Sequence, residues 1–432
     1  VSDTTSSPSA VTPDERPIEM RRVRTRSWKL AITLGAVTVL LALLFAFSPR
    51  PGLAVFRLAG GPSTLQLGDV SVPAMPAAFG SLVLLAALSV WAVVDTLAYR
   101  RTTIWVPIAY AAFGIFGFLA WAGADGLIPV VSLLSGALSL SVPLVLGGLG
   151  GVIGERVGVV NVAIEGQLLL GAFSAAVLSS ITDNPFVGLL GAMVGGVLVA
   201  LVLAVFSIKY FVEQVIVGVV LNVLVLGLTT FLYGIVLVPN ELVLNRATRF
   251  PKWPIPGLSE IPVVGAILFN QTFVVYLMYI LVGVVAWGLY RTRWGLRVRA
   301  VGEHPQAADT VGIKVNPTRF WNVTLAGAIA GAGGAYFTLV SVPQFGENMT
   351  AGLGFIALAA VIFGQWDPIK TALAGLLFGF ANQLQGLLVV FGTPIPSQFM
   401  LMLPYLVTIL AVVGFVGRSR APAASGKPYR KG

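Results

Sequence analysis

The 432 residues are 57% hydrophobic and only 10% charged, against about 25% charged residues in soluble globular chains, which excludes a water-soluble domain and leaves a polytopic membrane protein. The formal charge of +10 reads as Lys and Arg clustered on cytoplasmic loops rather than as a nucleic-acid surface. With no cysteine and His304 as the single histidine, a disulfide framework, a thiolate metal site and a multi-histidine metal centre are excluded.

In chain order, residues 1–29 form a leader rich in Ser, Thr, Pro and Asp, expected to be disordered, that ends on the basic flank "RRVRTRSWK". The run "LAITLGAVTVLLALLFAF" follows, with no small-x-small cleavage site before "SPRPG". It reads as a retained first helix near 30–47 rather than a signal peptide. Further spans are predicted near 78–98, 104–122, 127–149, 160–180, 186–208, 214–238, 273–290, 320–342, 352–366, 370–390 and 398–416. Most approach the roughly 20 residues that cross a hydrocarbon core about 30 Å thick, and none alternates as a membrane barrel strand does. The expected fold class is all-α, a polytopic transmembrane bundle of about 10–12 helices, with 352–366 short enough to be a half-helix.

With the amino terminus inside, all but five of the 27 Lys and Arg lie on the cytoplasmic side, the exceptions being Arg50, Arg57, Arg246, Arg249 and Lys252. The positive-inside rule is obeyed and both termini are cytoplasmic. Two connections are long. The external one, 238–272, is proline-rich and carries Trp253, which reads as a cap, a docking surface for a delivery protein, or a connector. The cytoplasmic one, 291–319, contains a helix-compatible run from Pro305 to Val311 ended by Gly312 as a carboxy-terminal cap.

Polar residues at membrane depth are the candidates for chemistry. In "GERVGVVNVAIEGQLLLGAF" (154–173), Glu155 and Arg156 read as a hydrated loop pair at the end of a span. Glu165 starts the next span, and a carboxylate there marks a functional site or caps a helix amino terminus. The amides of Asn161, Gln167, Asn222, Asn382, Gln383 and Gln385 need partners in lipid, either other helices or the hydroxyls and base edges of a substrate. Phe355 and Trp366 offer rings for stacking. These nine residues form the candidate substrate pathway.

The stretches beginning at Asn161 and Asn348 each reach an Asp and a Pro (Asp183 and Pro185; Asp367 and Pro368) and then a Gly-rich helix. They make a candidate inverted repeat with broken helices, an arrangement common in transporters. "GGLGG" and "GAIAGAGG" read as helix-packing surfaces. No GxxxxGK[ST] phosphate loop and no serine–histidine–acid arrangement occurs, so the chain is not expected to be an enzyme.

The joint pattern of Glu155, Arg156, Gly158, Asn161, Glu165 and Gly166, continued by "VGEHPQAADTVGI" (301–313) and "GLGFIALAAVIFGQWDP" (352–368), resembles permease subunits of ABC importers for nucleosides and simple sugars, in the branched-chain amino acid and ribose permease superfamily. The resemblance covers roughly 127–418 and implies a permease domain there. An amino-terminal transmembrane extension (30–126) precedes it and a basic cytoplasmic tail (419–432) follows. It also implies an ATPase-coupling loop at Glu303, His304, Pro305, Gln306, Ala307, Ala308, Asp309 and Gly312, with His304 a surface residue.

The implied partners are a second permease subunit, cytoplasmic ATPase subunits that use ATP and Mg, an extracytoplasmic substrate-binding lipoprotein and membrane lipid, with no nucleic acid. No cofactor is expected on this chain, and the location implied is the plasma membrane. Nucleosides are the favoured substrates. Simple sugars, a proton-coupled secondary transporter using Glu165 as carrier, and a membrane scaffold remain as alternatives.

Overall fold

A computed structural model describes residues 28–60, 67–100, 102–391, 398, 402 and 420–430. The predicted leader, up to residue 27, and the predicted span 398–416, apart from 398 and 402, lie outside the described residues. Long apolar runs surrounded by lipid satisfy their backbone groups internally, and that requirement produces helices.

The chain begins with α1 (Lys29–Phe47), strands β1 (Leu53–Arg57) and β2 (Val70–Pro73), then α2 (Ala74–Leu97), α3 (Trp105–Ala122) and β3 (Leu127–Pro129). β1 lies between β2, to which it is antiparallel, and β3, to which it is parallel. α4 (Val130–Arg156), α5 (Ile164–Thr182), α6 (Pro185–Ala204) and α7 (Gln214–Leu232) follow. Short α8 (Glu241–Leu244), β4 (Lys252–Pro254), α9 (Val264–Leu268) and β5 (Asn270–Thr272) then lead into α10 (Phe273–Arg291). α11 (Arg293–Glu303), α12 (Pro305–Thr310), α13 (Val315–Tyr336), α14 (Leu353–Phe363) and α15 (Pro368–Val390) complete the described helices. Ten of these, continued in three cases by a π-helical turn (Val205–Lys209, Tyr233–Leu237, Phe337–Ser341), are long and apolar enough to cross a membrane. The predicted span 352–366 is the 11-residue α14, a half-helix.

α13 is the axis of the bundle, with 78% of its apolar window buried, and it packs on α4, α5 and α6. Glycine makes the α6 contact possible: a Cβ on Gly196 would stand 2.1 Å from the carbonyl oxygen of Gly327, so any other residue would force the two backbones apart. The predicted span 127–149 continues to Arg156 because its glycines pack in the same way against neighbouring helices. Glu155 and Arg156 are therefore helix residues, and Glu155 is 5% exposed rather than part of a hydrated loop.

α1, α2 and α3 pack on one another. Trp121 is fully buried beside Phe45 and Phe118, beneath Arg50. The Thr38 hydroxyl lies 2.8 Å from that of Tyr110 and 3.1 Å from that of Ser89, which ties α1, α2 and α3 together. This apolar cluster closes on Leu133 of α4 and Leu384 and Leu388 of α15.

Candidate functional site

The sequence leaves the α4–α5 connection, 157–163, non-helical, and the chain from Val342 to Gly352 equally irregular. Irregular backbone inside a membrane protein needs bonding partners, and Glu165 supplies them where the two segments meet. One carboxylate oxygen accepts from the Thr350 hydroxyl at 2.5 Å and the Gly352 N–H at 2.9 Å, the other from the Gly354 N–H at 2.6 Å. Asn348, Ala351 and Gly352 all have positive φ, 49°, 44° and 85°, a turn that aims these donors at one point. Gly354 is fixed by the contact, since a Cβ there would lie 2.5 Å from the Glu165 backbone. The anion thus occupies the amino terminus of α14, whose first N–H groups have no helical partner and whose dipole favours negative charge.

The neighbouring amides are bonded internally as well. Asn161 and Gln167, both fully buried, exchange two hydrogen bonds at 3.0 and 3.3 Å. Asn222 on α7 accepts from the Gly166 N–H and donates to the Val162 carbonyl, both at 2.9 Å, and so seats the start of α5 against α7. Gln214 accepts from the Val160 N–H at 2.7 Å. Of the predicted pathway residues, the structure brings together Asn161, Glu165, Gln167 and Asn222, with Phe355 of α14 half-exposed beside them. Asn382, Gln383 and Gln385 lie apart on α15. Asn382 bonds back to the Phe378 carbonyl at 3.0 Å, and Gln383 faces Gly136. Gly136 is eleven residues, about 16 Å, along α4 from Gly147, which touches Ile164.

Trp366 sits at the far end of α14. It is 6% exposed, its indole N–H donates to Glu155 at 2.5 Å, and its carbonyl accepts from the Arg156 guanidinium at 2.9 Å. Its bonds are to the bundle, so Phe355 offers the more open ring. Gln365 and Trp366 both have left-handed backbone, φ 55° and 56°, which costs roughly 1–2 kcal/mol per residue. Glu155 and Arg156 hold this strained turn shut, while Asp367 caps α15 and accepts from Tyr290 at 2.9 Å.

At the same end, α12 runs from Pro305 to Thr310 and stops at Gly312, φ 87°, as its sequence predicts. Glu303, His304, Gln306, Ala307, Val311 and Gly312 are exposed, and Pro305 and Asp309 partly so. Ala308 is 3% exposed and belongs to the core, so of the predicted coupling residues it faces inward. Sequence reasoning missed the segment 420–430, which crosses beneath this loop. Ala424 donates to the Gly302 carbonyl at 2.9 Å, Ala423 to Glu303 at 3.2 Å, and Arg319 to the Lys427 carbonyl at 2.8 Å. Tyr429 bonds Asp309; burial and that carboxylate raise the phenol pKa. Nothing local in "APAASGKPYR" signals these partners.

At the opposite end, the connection 238–272 is built into the bundle. Asn245 exchanges two hydrogen bonds with the Phe345 backbone, at 3.0 and 2.6 Å, and Phe250 donates to the Leu339 carbonyl. Phe186, Phe250, Trp253 and Phe273 form an aromatic cluster beside it.

Residues 133–412 match the family described as Branched-chain amino acid transport system / permease component. The chain is 40% identical over 305 residues to the guanosine ABC transporter permease protein NupQ of Bacillus subtilis, covering 68% of this chain and 95% of that protein. It is 39% identical over 312 residues to the nucleoside ABC transporter permease protein NupC of Lactococcus lactis, covering 69% and 96%. The putative glucose ABC transporter permease protein TsgC13 of Haloferax volcanii is 38% identical over 257 residues, covering 59% and 76%. No solved structure matches. With well over half of its length inside that match, the chain belongs to the branched-chain amino acid transport system permease family.

Proposed function

We propose that this chain is the permease subunit of an ATP-driven nucleoside importer. The observation that carries the substrate class is the likeness to two nucleoside permeases over 95% and 96% of their lengths. A second reading, import of a simple sugar, has the shorter match to the glucose permease behind it. The α12 end of the bundle is assigned to the cytoplasm by its basic residues, among them Arg291, Arg293 and Arg297, with both termini on that side. Cytoplasmic ATPase subunits, which bind ATP and Mg, dock on the exposed face of α12. A second permease chain completes the pathway: Bacillus subtilis has a further guanosine permease protein, NupP, 24% identical to this chain. An extracytoplasmic binding lipoprotein delivers substrate at the aromatic, Trp253-bearing end.

In this reading Asn161, Glu165, Gln167 and Asn222 hold the hinge between α5, α7 and α14, and Phe355 faces the substrate. Asn382, Gln383 and Gln385 line the path on α15 where that helix meets α4. Movement of α12 changes the Trp366 turn and with it the tilt of α14. Such switching requires contacts that differ between the two states, and the strained turn at 365–366 supplies one.

The test is reconstitution of the whole assembly in vesicles with labelled guanosine, competed by unlabelled nucleosides or glucose. Guanosine uptake that needs ATP and survives collapse of the proton gradient is expected. Uptake abolished by that collapse with ATP constant overturns the importer in favour of a secondary carrier. Competition by glucose alone moves the substrate class to sugars.

A further inference from the structure

An open groove of about 510 Å³ lies between α10 and α13, with Leu277 and Leu281 on one wall, Leu325 and Ala328 on the other, and Ile153 and Met193 as its floor. Its polar lining groups, Thr292, Trp294 and the indole of Trp287, stand toward one end, and the first two are already bonded. The Thr292 hydroxyl donates to the Gly288 carbonyl at 2.6 Å and the Trp294 indole to Asn322 at 2.9 Å. Most of the groove is therefore apolar, a surface suited to an apolar chain rather than to a polar solute.

Leu277 to Arg291 is fifteen residues of α10, about 22 Å, enough to take a chain across one leaflet of a hydrocarbon core about 30 Å thick. Trp287 and Trp321, 64% and 68% exposed, mark the membrane interface at the Thr292 end. Just beyond, α11 turns back across the end of α10, with Gly295 against the Gly288 and Leu289 carbonyls. It exposes Arg293, Leu296 and Arg297 next to the exposed Arg291. Among the described residues none of these three arginines has a salt-bridge partner. A basic amphipathic helix at the mouth of an apolar groove is complementary to a lipid with a negative headgroup.

We propose that this groove holds an acyl chain of an anionic phospholipid whose phosphate lies against Arg291, Arg293 and Arg297. α11 passes directly into α12 through His304, so the headgroup bears on the loop assigned above to the ATPase. The binding claim is independent of that assignment; only the effect on ATP turnover rests on it.

The experiment is native mass spectrometry of the permease extracted from membranes containing phosphatidylglycerol and phosphatidylcholine, with ATPase activity of the assembled transporter in phosphatidylcholine vesicles with and without phosphatidylglycerol. The wild-type chain is expected to retain phosphatidylglycerol selectively. The combined Arg291→Gln, Arg293→Gln and Arg297→Gln change should lower retention at least about tenfold, with Lys at the same positions restoring much of it. Ala328→Phe, which fills the groove and leaves the arginines, should also release the lipid. Equal retention of both lipids, or phosphatidylglycerol retained undiminished by Ala328→Phe, overturns the proposal, as does a cross-link from position 325 placing a partner permease in the groove. Lipid retention without stimulation of ATP turnover keeps the site and removes its link to α12.

Discussion

Glu165 gathers three donors from a segment 185 to 189 residues away. Its charge is matched by N–H groups and a helix dipole rather than by a cation, which is why it needs no arginine partner at membrane depth. Glu165→Gln turns one acceptor into a donor facing an N–H or hydroxyl. Since hydrogen bonds to charged groups contribute roughly 1.5–3 kcal/mol, the change should cost about 2 kcal/mol, read as a lower thermal midpoint in detergent together with lost uptake. An unchanged midpoint would mean that the carboxylate does not anchor α14. Glu155 gives a sharper contrast. Glu155→Gln keeps an acceptor for the Trp366 indole and should stay close to wild type, whereas Glu155→Ala leaves that buried N–H unpaired and should cost about 2 kcal/mol by the same measurement. That Glu165 needs bonding partners is legible in the sequence, because a carboxylate in an apolar run demands them. Its partners are not, because Thr350 and Gly352 in the preceding turn and Gly354 in the first turn of α14 carry no mark of the contact until the fold brings them near.

At the scale of elements, apolar length alone fixes most of the helices. α12 is readable too, from Pro305 at its start and Gly312 past its end. The three π-helical turns leave no such trace, since they shift the backbone bonding register without changing the apolar pattern. Nor does the sequence reveal which face of α12 is outward: Ala307 and Ala308 look alike, yet one is exposed and the other buried. The outward face predicts that Val311→Asp, at a side chain 74% exposed, lowers ATPase co-purification about tenfold without altering the thermal midpoint. Ala308→Trp should instead overpack the core and lower the midpoint. Removing 420–430 takes away the acceptor of the buried Arg319 and the bonds to Gly302 and Glu303. Amides 302–312 should then exchange with deuterium faster, and unaltered exchange would mean that this segment does not brace the loop.

At the scale of the molecule, the family match begins at residue 133, and the nucleoside permeases are covered almost to their full length by about two thirds of this chain. α1–α3 thus precede the residues that match the family. Their contact with α4 and α15 buries apolar side chains, Leu133, Leu384 and Leu388, against others equally at home in lipid. In water, stripping such a cluster would expose it to solvent; in a bilayer, acyl chains replace the lost neighbours and only packing is forfeited. A chain beginning at residue 127 should for that reason still insert and co-purify with its ATPase, while melting a few degrees lower. It would also lose β1, which pairs with β3 just before α4, so any damage should concentrate at the sheet end of α4, away from Glu165 and α12. Hydrogen exchange separates the outcomes: faster exchange confined to the first turns of α4 and the last turns of α15 fits an accessory brace. Loss of protection around Glu165 would instead make the extension part of the transport machinery.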